Sequence, residues 1–214
     1  MQQHLIQAFE DCGLPEAMLM DHGTPWWNWQ SFQGATQLNL WLMRQGIRRH
    51  FSGVRHPQTQ GKVERFHGSM ERALERRGVP ESDHAAWLEQ FRLEHNHIRP
   101  HEALGMLTPD TRWQPSPRRY NPNPPDWQYP QGAWTLKVDN HGTIDIHDHP
   151  WRIAKTLAGE RVRVLPVDDR YRVYYCNTLI REIDPRMNRS TIVERFIPST
   201  NLHQQMETIS RDNL

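Results

Sequence analysis

A proline-rich segment divides this chain into two parts whose hydrophobic patterns differ. Residues 114–131, QPSPRRYNPNPPDWQYPQ, hold six prolines and no aliphatic run. Proline fixes φ and lacks a backbone N–H, so such a segment is expected to be an extended linker. Before it, apolar residues recur at helical spacing or in short runs, and after it they alternate. We therefore predict two parts of different class, an α/β part and an all-β part.

The first part alternates short helices and strands. Apolar periodicity and stop signals predict helices at residues 1–10, 37–45, 62–77 and 84–98. The short apolar run AMLM and the stretch GIRRHFS predict two strands. In the third helix the apolar residues fall on one stripe, formed by Val63, Phe66, Met70, Ala73 and Leu74. This order predicts an α/β fold for residues 1–113.

The second part shows the two-residue period of β-strands. The stretches WTLKV, TIDIH, RVRVLPV, RYRVYY and LIREID lie within residues 132–185 and are separated by turn-forming residues. Five short strands at this spacing predict a small barrel or sandwich. The chain becomes polar after Asp184, so we expect residues 186–214 to be a largely unpacked tail.

The charges are distributed unevenly, although the formal net charge is only +1. Residues 1–43 carry four acidic residues and no Lys or Arg, which gives −4. Residues 44–78 carry nine Lys and Arg residues against three Glu residues, which gives 9 − 3 = +6. Such asymmetry indicates a polyanionic partner, and the alternative is that the acidic and basic parts face each other.

Composition excludes several classes of protein. Mean hydropathy is −0.86, and no apolar run or basic-then-apolar N-terminus predicts a membrane span or a signal peptide. We expect an intracellular, cytoplasmic, soluble protein. Cys12 and Cys176 are too isolated to predict a disulfide framework or a CxxC site, and the thirteen histidines do not pair with them at zinc-finger spacing.

Two carboxylates occupy positions where side chains converge in α/β folds. Asp21 follows a predicted strand, and Glu64 lies in the first turn of a predicted helix, so both could reach a common site. Carboxylates of this kind hold Mg²⁺, and surrounding Arg and Lys would hold phosphates. The alternatives are a turn role for Asp21 and a helix-dipole role for Glu64, while Glu71 and Glu75 compete for a ligand role. The residues alone leave these interpretations open.

Three motifs resemble the integrase-type core of insertion-sequence DDE transposases, relatives of retroviral integrases with a ribonuclease-H-like fold. They are LMDHGTPW, then WLMRQGIRRHFSGVRHPQTQGKVERFHGSM, then HNHIRPHEALGMLTP, and the resemblance covers residues 1–113. The β-part resembles the SH3-like barrel that follows this core in many such proteins. The resemblance implies a partial ribonuclease-H-like core, a linker at 114–131, a small SH3-like β-barrel at 132–185 and a polar tail.

The resemblance also assigns roles to single residues. Asp21 matches the second acidic residue of the DDE triad and Glu64 the third, so both are expected to be catalytic ligands of Mg²⁺ or Mn²⁺. The resemblance places Gln60 and Gly61 in a flexible loop before the catalytic helix. The expected DNA contacts are Gln60, Gly61, Lys62, Arg65 and Arg72.

The sequence departs from the family in three places. His22 stands where Asn is common, and 42 residues separate Asp21 from Glu64, more than in the integrase archetype. The first Asp of the triad has no matching position upstream of Asp21. We therefore expect an incomplete core that is inactive alone and marginally stable or self-associating, with Trp26, Trp27 and Trp29 on the surface left unsatisfied. A decayed gene, an internal start and one half completed by another polypeptide are the alternatives.

Three alternatives follow from the resemblance. The first is DNA transposition or integration by metal-dependent phosphodiester cleavage and strand transfer, performed by a homo-oligomer on element ends and target DNA. The second is a non-catalytic DNA-binding or regulatory fragment, and a decayed transposase remnant is the third alternative.

Overall fold

The computed structural model describes residues 1–27, 35–51 and 61–193 and divides the chain into two compact units. The split unit joins Met1–His56 to Pro117–Leu214, and the helical unit is Pro57–Ser116. The predicted mixture of helices and sheet is confirmed. Within the described ranges, no helix is both long and apolar enough to cross a membrane.

The split unit begins with a small parallel α/β layer. Its elements are α1 (Gln2–Cys12), β1 (Ala17–Met20), α2 (Gln37–Arg44) and β2 (Arg48–Phe51), as the hydrophobic pattern predicts. Helix α2 begins where the Thr36 side chain accepts a hydrogen bond from the Asn39 N–H. Strands β1 and β2 pair in parallel, from Ala17 opposite Arg48 to Met20 opposite Phe51. Their carboxyl ends therefore lie at the same edge.

An apolar cluster holds this layer together. Its buried members are Phe9, Leu14, Met20, Trp27, Leu42, Ile47 and Phe51. Trp27 is 7% exposed and Trp26 packs partly buried against the cluster, so the expectation that these two lie on an unsatisfied surface is wrong. Moving an aromatic ring from water into an apolar cluster lowers the free energy of the folded state. The Phe51 ring lies 5.0 Å from the Trp27 ring in this cluster. Trp29 lies outside the described residues.

Seven strands follow within the described residues 132–193, and the predicted all-β region is confirmed. They are β3 (Thr135–Lys137), β4 (Thr143–Ile146), β5 (His149–Arg152), β6 (Arg161–Val167), β7 (Arg170–Tyr175), β8 (Thr178–Asp184) and β9 (Arg189–Ile192). An antiparallel sheet has the order β3-β6-β7-β8-β9, and β4 and β5 form a separate hairpin.

Two of these strands are absent from the sequence prediction. Strand β5 contains Pro150 and shows no clear alternation, yet it pairs with β4 from Thr143 opposite Arg152 to Ile146 opposite His149. Strand β9 lies inside the expected polar tail and pairs with the last residues of β8. The expectation of an unpacked segment is therefore wrong for residues 189–192. Pairing with β8 stabilises this strand, although its own residues are mostly polar.

Helix α2 connects the α/β layer to the β-region. Leu42 belongs to the cluster that contains Phe9, whereas Leu40 and Met43 belong to a second cluster. That second cluster includes the buried β-region residues Val138, Ile144, Ile153, Leu157, Val162, Val173 and Ile183. Different faces of one short helix therefore contribute to both cores of the split unit.

The proline-rich segment lacks regular secondary structure, but it is packed. The described residues 114–131 contain no helix or strand. The Arg118 carbonyl accepts a hydrogen bond from the Leu14 N–H at 2.7 Å, and the Tyr120 ring lies 6.4 Å from the Phe9 ring. The segment is thus an ordered strap along the split unit.

The helical unit contains α3 (Gly61–Arg77) and α4 (His84–Leu93), which confirms the two predicted helices. A π-helical turn, Glu94–Ile98, extends α4, and short 3₁₀ turns lie at Glu81–Asp83, Glu102–Leu104 and Pro109–Thr111. Trp87 and Phe91 are its buried apolar residues within the described range. No residue of α3 is buried.

Candidate metal and nucleic-acid interface

Asp21 lies where the sequence predicts it, at the carboxyl edge of the parallel pair. It follows Met20 directly, and its side chain is exposed. Its Oδ1 accepts a hydrogen bond from the Gly23 N–H at 3.0 Å, so the turn role is present. This turn uses one of two carboxylate oxygens, and a turn role and a ligand role are therefore compatible.

An aromatic cluster supports the residues next to Asp21. The His22 ring lies 4.8 Å from the Trp27 ring and 5.2 Å from the Phe51 ring. These contacts attach the first residues after β1 to the end of β2. The carboxylate of Asp21 is consequently displayed from a packed turn.

Arg49 belongs to the basic stretch of residues 44–78, but it is half-buried and two nitrogens of its guanidinium are buried. Its Nε and Nη1 atoms are inaccessible to solvent and have no hydrogen-bond partner among the described residues, and its Cζ lies 5.5 Å from the centroid of the Phe51 ring. Burial lowers the pKa of this guanidinium to about 10, which leaves it charged at neutral pH. Arg49 therefore cannot count among the exposed phosphate contacts.

Glu64 lies in the first turn of α3 and is exposed. Glu71 and Glu75 follow it by seven and eleven residues, so all three carboxylates share one helical face. The positive end of the helix dipole is nearest Glu64, and it favours an anion there. Competition among these three carboxylates for a ligand role stays open.

A second face of α3 is basic. Lys62, Arg65, Arg72 and Arg76 are all exposed and recur at helical spacing, and we call these four residues the basic stripe. At about 1.5 Å per residue, the stripe is about 21 Å long. Arg72 Nη2 donates to Ser69 Oγ at 3.4 Å.

The Arg72 guanidinium lies beside Gly68 on this face. A Cβ at Gly68 would lie 3.5 Å from Arg72 Nη1, which is an ordinary van der Waals contact. Arg76 is the member that the resemblance did not assign, and its helical spacing from Arg65 and Arg72 is the signal that finds it.

Of the two residues before Lys62, the structure describes only Gly61. Gly61 is the first residue of α3 rather than part of a preceding loop, and a Cβ added there would meet no atom of the described residues within 4 Å. Gln60 lies outside the described residues.

The donor chemistry suits a hard divalent cation at each carboxylate. Exposed Asp and Glu oxygens are the ligands that Mg²⁺ and Mn²⁺ prefer. Asp21 belongs to the split unit and Glu64 to the helical unit. Among the residues that the structure describes, no group of three or more His, Cys, Asp or Glu side chains could hold a metal ion together. Joint coordination by Asp21 and Glu64 stays a prediction.

The helical unit coincides with most of a match to a known family. Residues 45–109 match the family described as integrase core domain. The match includes β2, α3, α4 and the assigned residues from Gln60 to Arg72, and Asp21 precedes it. It supports the similarity that the sequence motifs predict.

Proposed function

We propose that this chain, whose residues 45–109 match the integrase core domain family, is an integrase- or transposase-like protein that acts in DNA transposition or integration. The proposed reaction is metal-dependent cleavage and strand transfer of phosphodiesters. The observation that carries the proposal is α3, a helix inside the matched segment that displays Glu64 beside the exposed basic stripe.

In this proposal Asp21 and Glu64 are the carboxylates that hold Mg²⁺ or Mn²⁺. The bound ion would polarise the phosphodiester and lower the pKa of the attacking hydroxyl. Asp21 contributes an anion from a turn that Gly23 closes, and Glu64 contributes one from a helix start. Neither side chain needs to leave a buried environment to bind a ligand.

The DNA contacts follow from the charge and exposure of α3. Lys62, Arg65 and Arg72 would bind backbone phosphates, and Arg76 extends the track by one turn. Gln60 and Gly61 would lie near the DNA end, where an amide and a glycine backbone approach a phosphate or a base closely.

The architecture and partners belong to the same proposal. The β1–α2–β2 layer supports a partial ribonuclease-H-like core, and the five-stranded sheet with its hairpin supports an SH3-like barrel. Exposed apolar side chains of the helical unit, such as Ile98 and Met106, at 71% and 63%, support assembly with another chain. That chain would be a second copy or a separate polypeptide.

The test pairs two glutamates on one helical face. We expect Glu64→Gln to weaken Mn²⁺ binding, followed by electron paramagnetic resonance, and to abolish strand transfer of labelled duplex ends in the presence of a polypeptide that supplies the first Asp of the triad. Glu71→Gln is the matched control and should change neither. Asp21→Asn should also weaken Mn²⁺ binding while it keeps the turn, because the amide oxygen still accepts from the Gly23 N–H.

Either of two results would count against these assignments. Strand transfer that survives Glu64→Gln would remove Glu64 from the reaction. Loss of Mn²⁺ binding in Glu71→Gln but not in Glu64→Gln would move the ligand role two turns along α3.

A second candidate function is DNA binding without catalysis, as a regulatory fragment. The exposed basic stripe favours it, because phosphate binding by Lys and Arg requires no metal ion. DNA binding that weakens steeply with salt but does not respond to Mn²⁺, together with no strand transfer, would favour this alternative.

A further inference from the structure

A cavity of about 440 Å³ lies between the proline-rich strap and the β-region of the split unit. Trp127 and Tyr129 of the strap line one part of it, and buried Tyr175 and Cys176 line another. Lys137 and Arg161 also line the cavity, and both side chains are exposed. The volume lies within the range of about 300–1,000 Å³ that small-molecule sites occupy.

The Tyr129 ring is held in place by hydrogen bonds at its hydroxyl. The hydroxyl donates to the Arg161 carbonyl at 2.9 Å and accepts from the Cys176 N–H at 3.1 Å. Burial raises the pKa of Tyr129 to about 12, so the hydroxyl remains a donor at neutral pH. The strap therefore presents this ring at a fixed place against the β-sheet.

A three-residue network fixes the opposite wall. The Tyr175 hydroxyl donates to Glu160 Oε2 at 2.8 Å and accepts from Arg44 Nε at 2.9 Å. Arg44 also forms an ion pair with Glu160. The charges of Arg44 and Glu160 thus neutralise each other, and the wall is preorganised before any ligand binds.

The remaining lining charges favour an anion. Lys137 and Arg161 are opposed by Asp126, and these three charges sum to +1. Arg161 directs one N–H at Thr135 Oγ1, 3.4 Å away, and a guanidinium has four further N–H donors. The cavity therefore combines aromatic lining residues with two cations at exposed positions.

We propose that this cavity binds an unpaired nucleotide of the DNA substrate, with the base against Trp127 and Tyr129 and the phosphate at Lys137 and Arg161. The proposal rests on the proposed function, which makes DNA the substrate. Aromatic rings bind unpaired bases by stacking, whereas a base inside a duplex is stacked on its neighbours and cannot enter such a cavity.

The test compares two fluorescein-labelled duplexes, one blunt and one with a three-nucleotide single-stranded overhang. Fluorescence anisotropy with the full chain should show tighter binding of the overhang duplex. Trp127→Ala should weaken that binding about tenfold and leave blunt-duplex binding unchanged. Trp113→Ala is the matched control, because Trp113 is an exposed tryptophan of the helical unit and does not line the cavity.

A second variant keeps the test valid if Trp127→Ala does not fold, as judged by circular dichroism. Lys137→Ala removes an exposed lining charge and should also weaken overhang binding selectively. Equal affinity of the wild-type chain for both duplexes, or equal losses on both in the variants, would overturn the cavity proposal and leave DNA binding intact. A wild-type chain that binds neither duplex would overturn the proposed function itself.

Discussion

Gly142 is the glycine whose missing side chain the β-region most clearly requires. Its φ is +84°, and a Cβ there would lie 2.5 Å from Lys155 N and 2.6 Å from both Ala154 C and Lys155 Cα. The Gly142 carbonyl accepts from the Ile153 N–H at 2.8 Å, so these backbones are joined by a hydrogen bond. Backbone atoms cannot move aside as a flexible side chain can.

We expect Gly142→Ala to destabilise the split unit by about 1–3 kcal/mol more than Gly159→Ala, because only the first substitution adds overpacking to backbone strain. Gly159 has a similar φ of +87°, and a Cβ there would meet no atom within 4 Å. Urea unfolding followed by circular dichroism gives both free energies. Equal losses in the two variants would show that the close approach at Gly142 relaxes freely.

Single residues also show where sequence reasoning succeeds. Asp21 was predictable, because an apolar run followed by a Gly-containing turn is a local pattern and the structure has β1 and that turn. The burial of two Arg49 guanidinium nitrogens was not predictable, because a charge count does not say which face of β2 a guanidinium occupies. The burial of Trp27 was not predictable either, because its partner Phe51 is distant in sequence.

Helix α3 shows what periodicity predicts and what it omits. The apolar stripe correctly predicts a helix over these residues. It also suggests a buried face, yet Val63 and Phe66 are 53% and 37% exposed. Amphipathicity specifies which residues share a face, and burial depends on what packs there. The exposed basic stripe is thus available for a ligand.

Removing a charge from the basic stripe should change the salt dependence of DNA binding. Each lost phosphate contact reduces the magnitude of the negative slope of log K, the binding constant, against log salt concentration by about 0.9. We expect Arg72→Ala and Arg76→Ala each to produce such a reduction, measured by anisotropy between 50 and 200 mM salt, roughly the range over which such binding changes most.

The control for this measurement lies on the same helix. Arg77 is off the stripe and forms an ion pair with Glu94 at 3.2 Å. Arg77→Ala should leave the slope unchanged. If Arg77→Ala changes the slope as strongly as Arg72→Ala does, the DNA binds a diffuse basic surface and not the basic stripe.

The strands mark a limit of local patterns. Strands β6, β7 and β8 were predicted from alternation, whereas β5 and β9 form because neighbouring strands offer hydrogen bonds to them. Which strands pair depends on the whole fold and not on the local segment. Strands with weak alternation are therefore not predicted from the local sequence pattern.

The compact units could not be read from the sequence, because long-range contacts define them. The domain division at the proline-rich segment stays a prediction, while the split unit joins residues on both sides of that segment. Leu40 and Met43 of α2 share a core with Val162 and Ile183 of the β-region. Nothing in the local pattern of α2 distinguishes these residues from those that face the first cluster.

The helical unit depends on a small cluster of rings. The Phe66 ring lies 6.0 Å from the Phe91 ring and 4.9 Å from the His95 ring, and the rings of His95 and His101 are 4.6 Å apart. His95 Nδ1 is buried and has no hydrogen-bond partner in the part of the chain that the structure describes. Burial lowers the pKa of His95, and the neighbouring His101 and Arg99 lower it further.

This depressed pKa makes the stability of the helical unit depend on pH. Unfolding returns His95 to an ordinary pKa of 6.5, so the unfolded state binds a proton first as the pH falls. The contribution of neutral His95 is therefore complete above pH 6.5 and is lost as the pH falls from there towards the folded-state pKa. We expect the amides of α3 and α4 to lose protection at about pH 5.5 relative to about pH 7.5.

His95→Phe separates this effect from the titration of other groups. Phenylalanine keeps a ring against Phe66 and Phe91, and it loses no hydrogen bond at the buried Nδ1. Hydrogen exchange read by mass spectrometry, corrected for intrinsic exchange rates, should show less loss of protection on acidification in this variant than in the wild type. His67→Gln is the control, because His67 is an exposed histidine of α3, and it should behave as the wild type. An acid-induced loss that His95→Phe leaves unchanged would assign the pH dependence to other groups, such as the Asp110 carboxylate that accepts from His97.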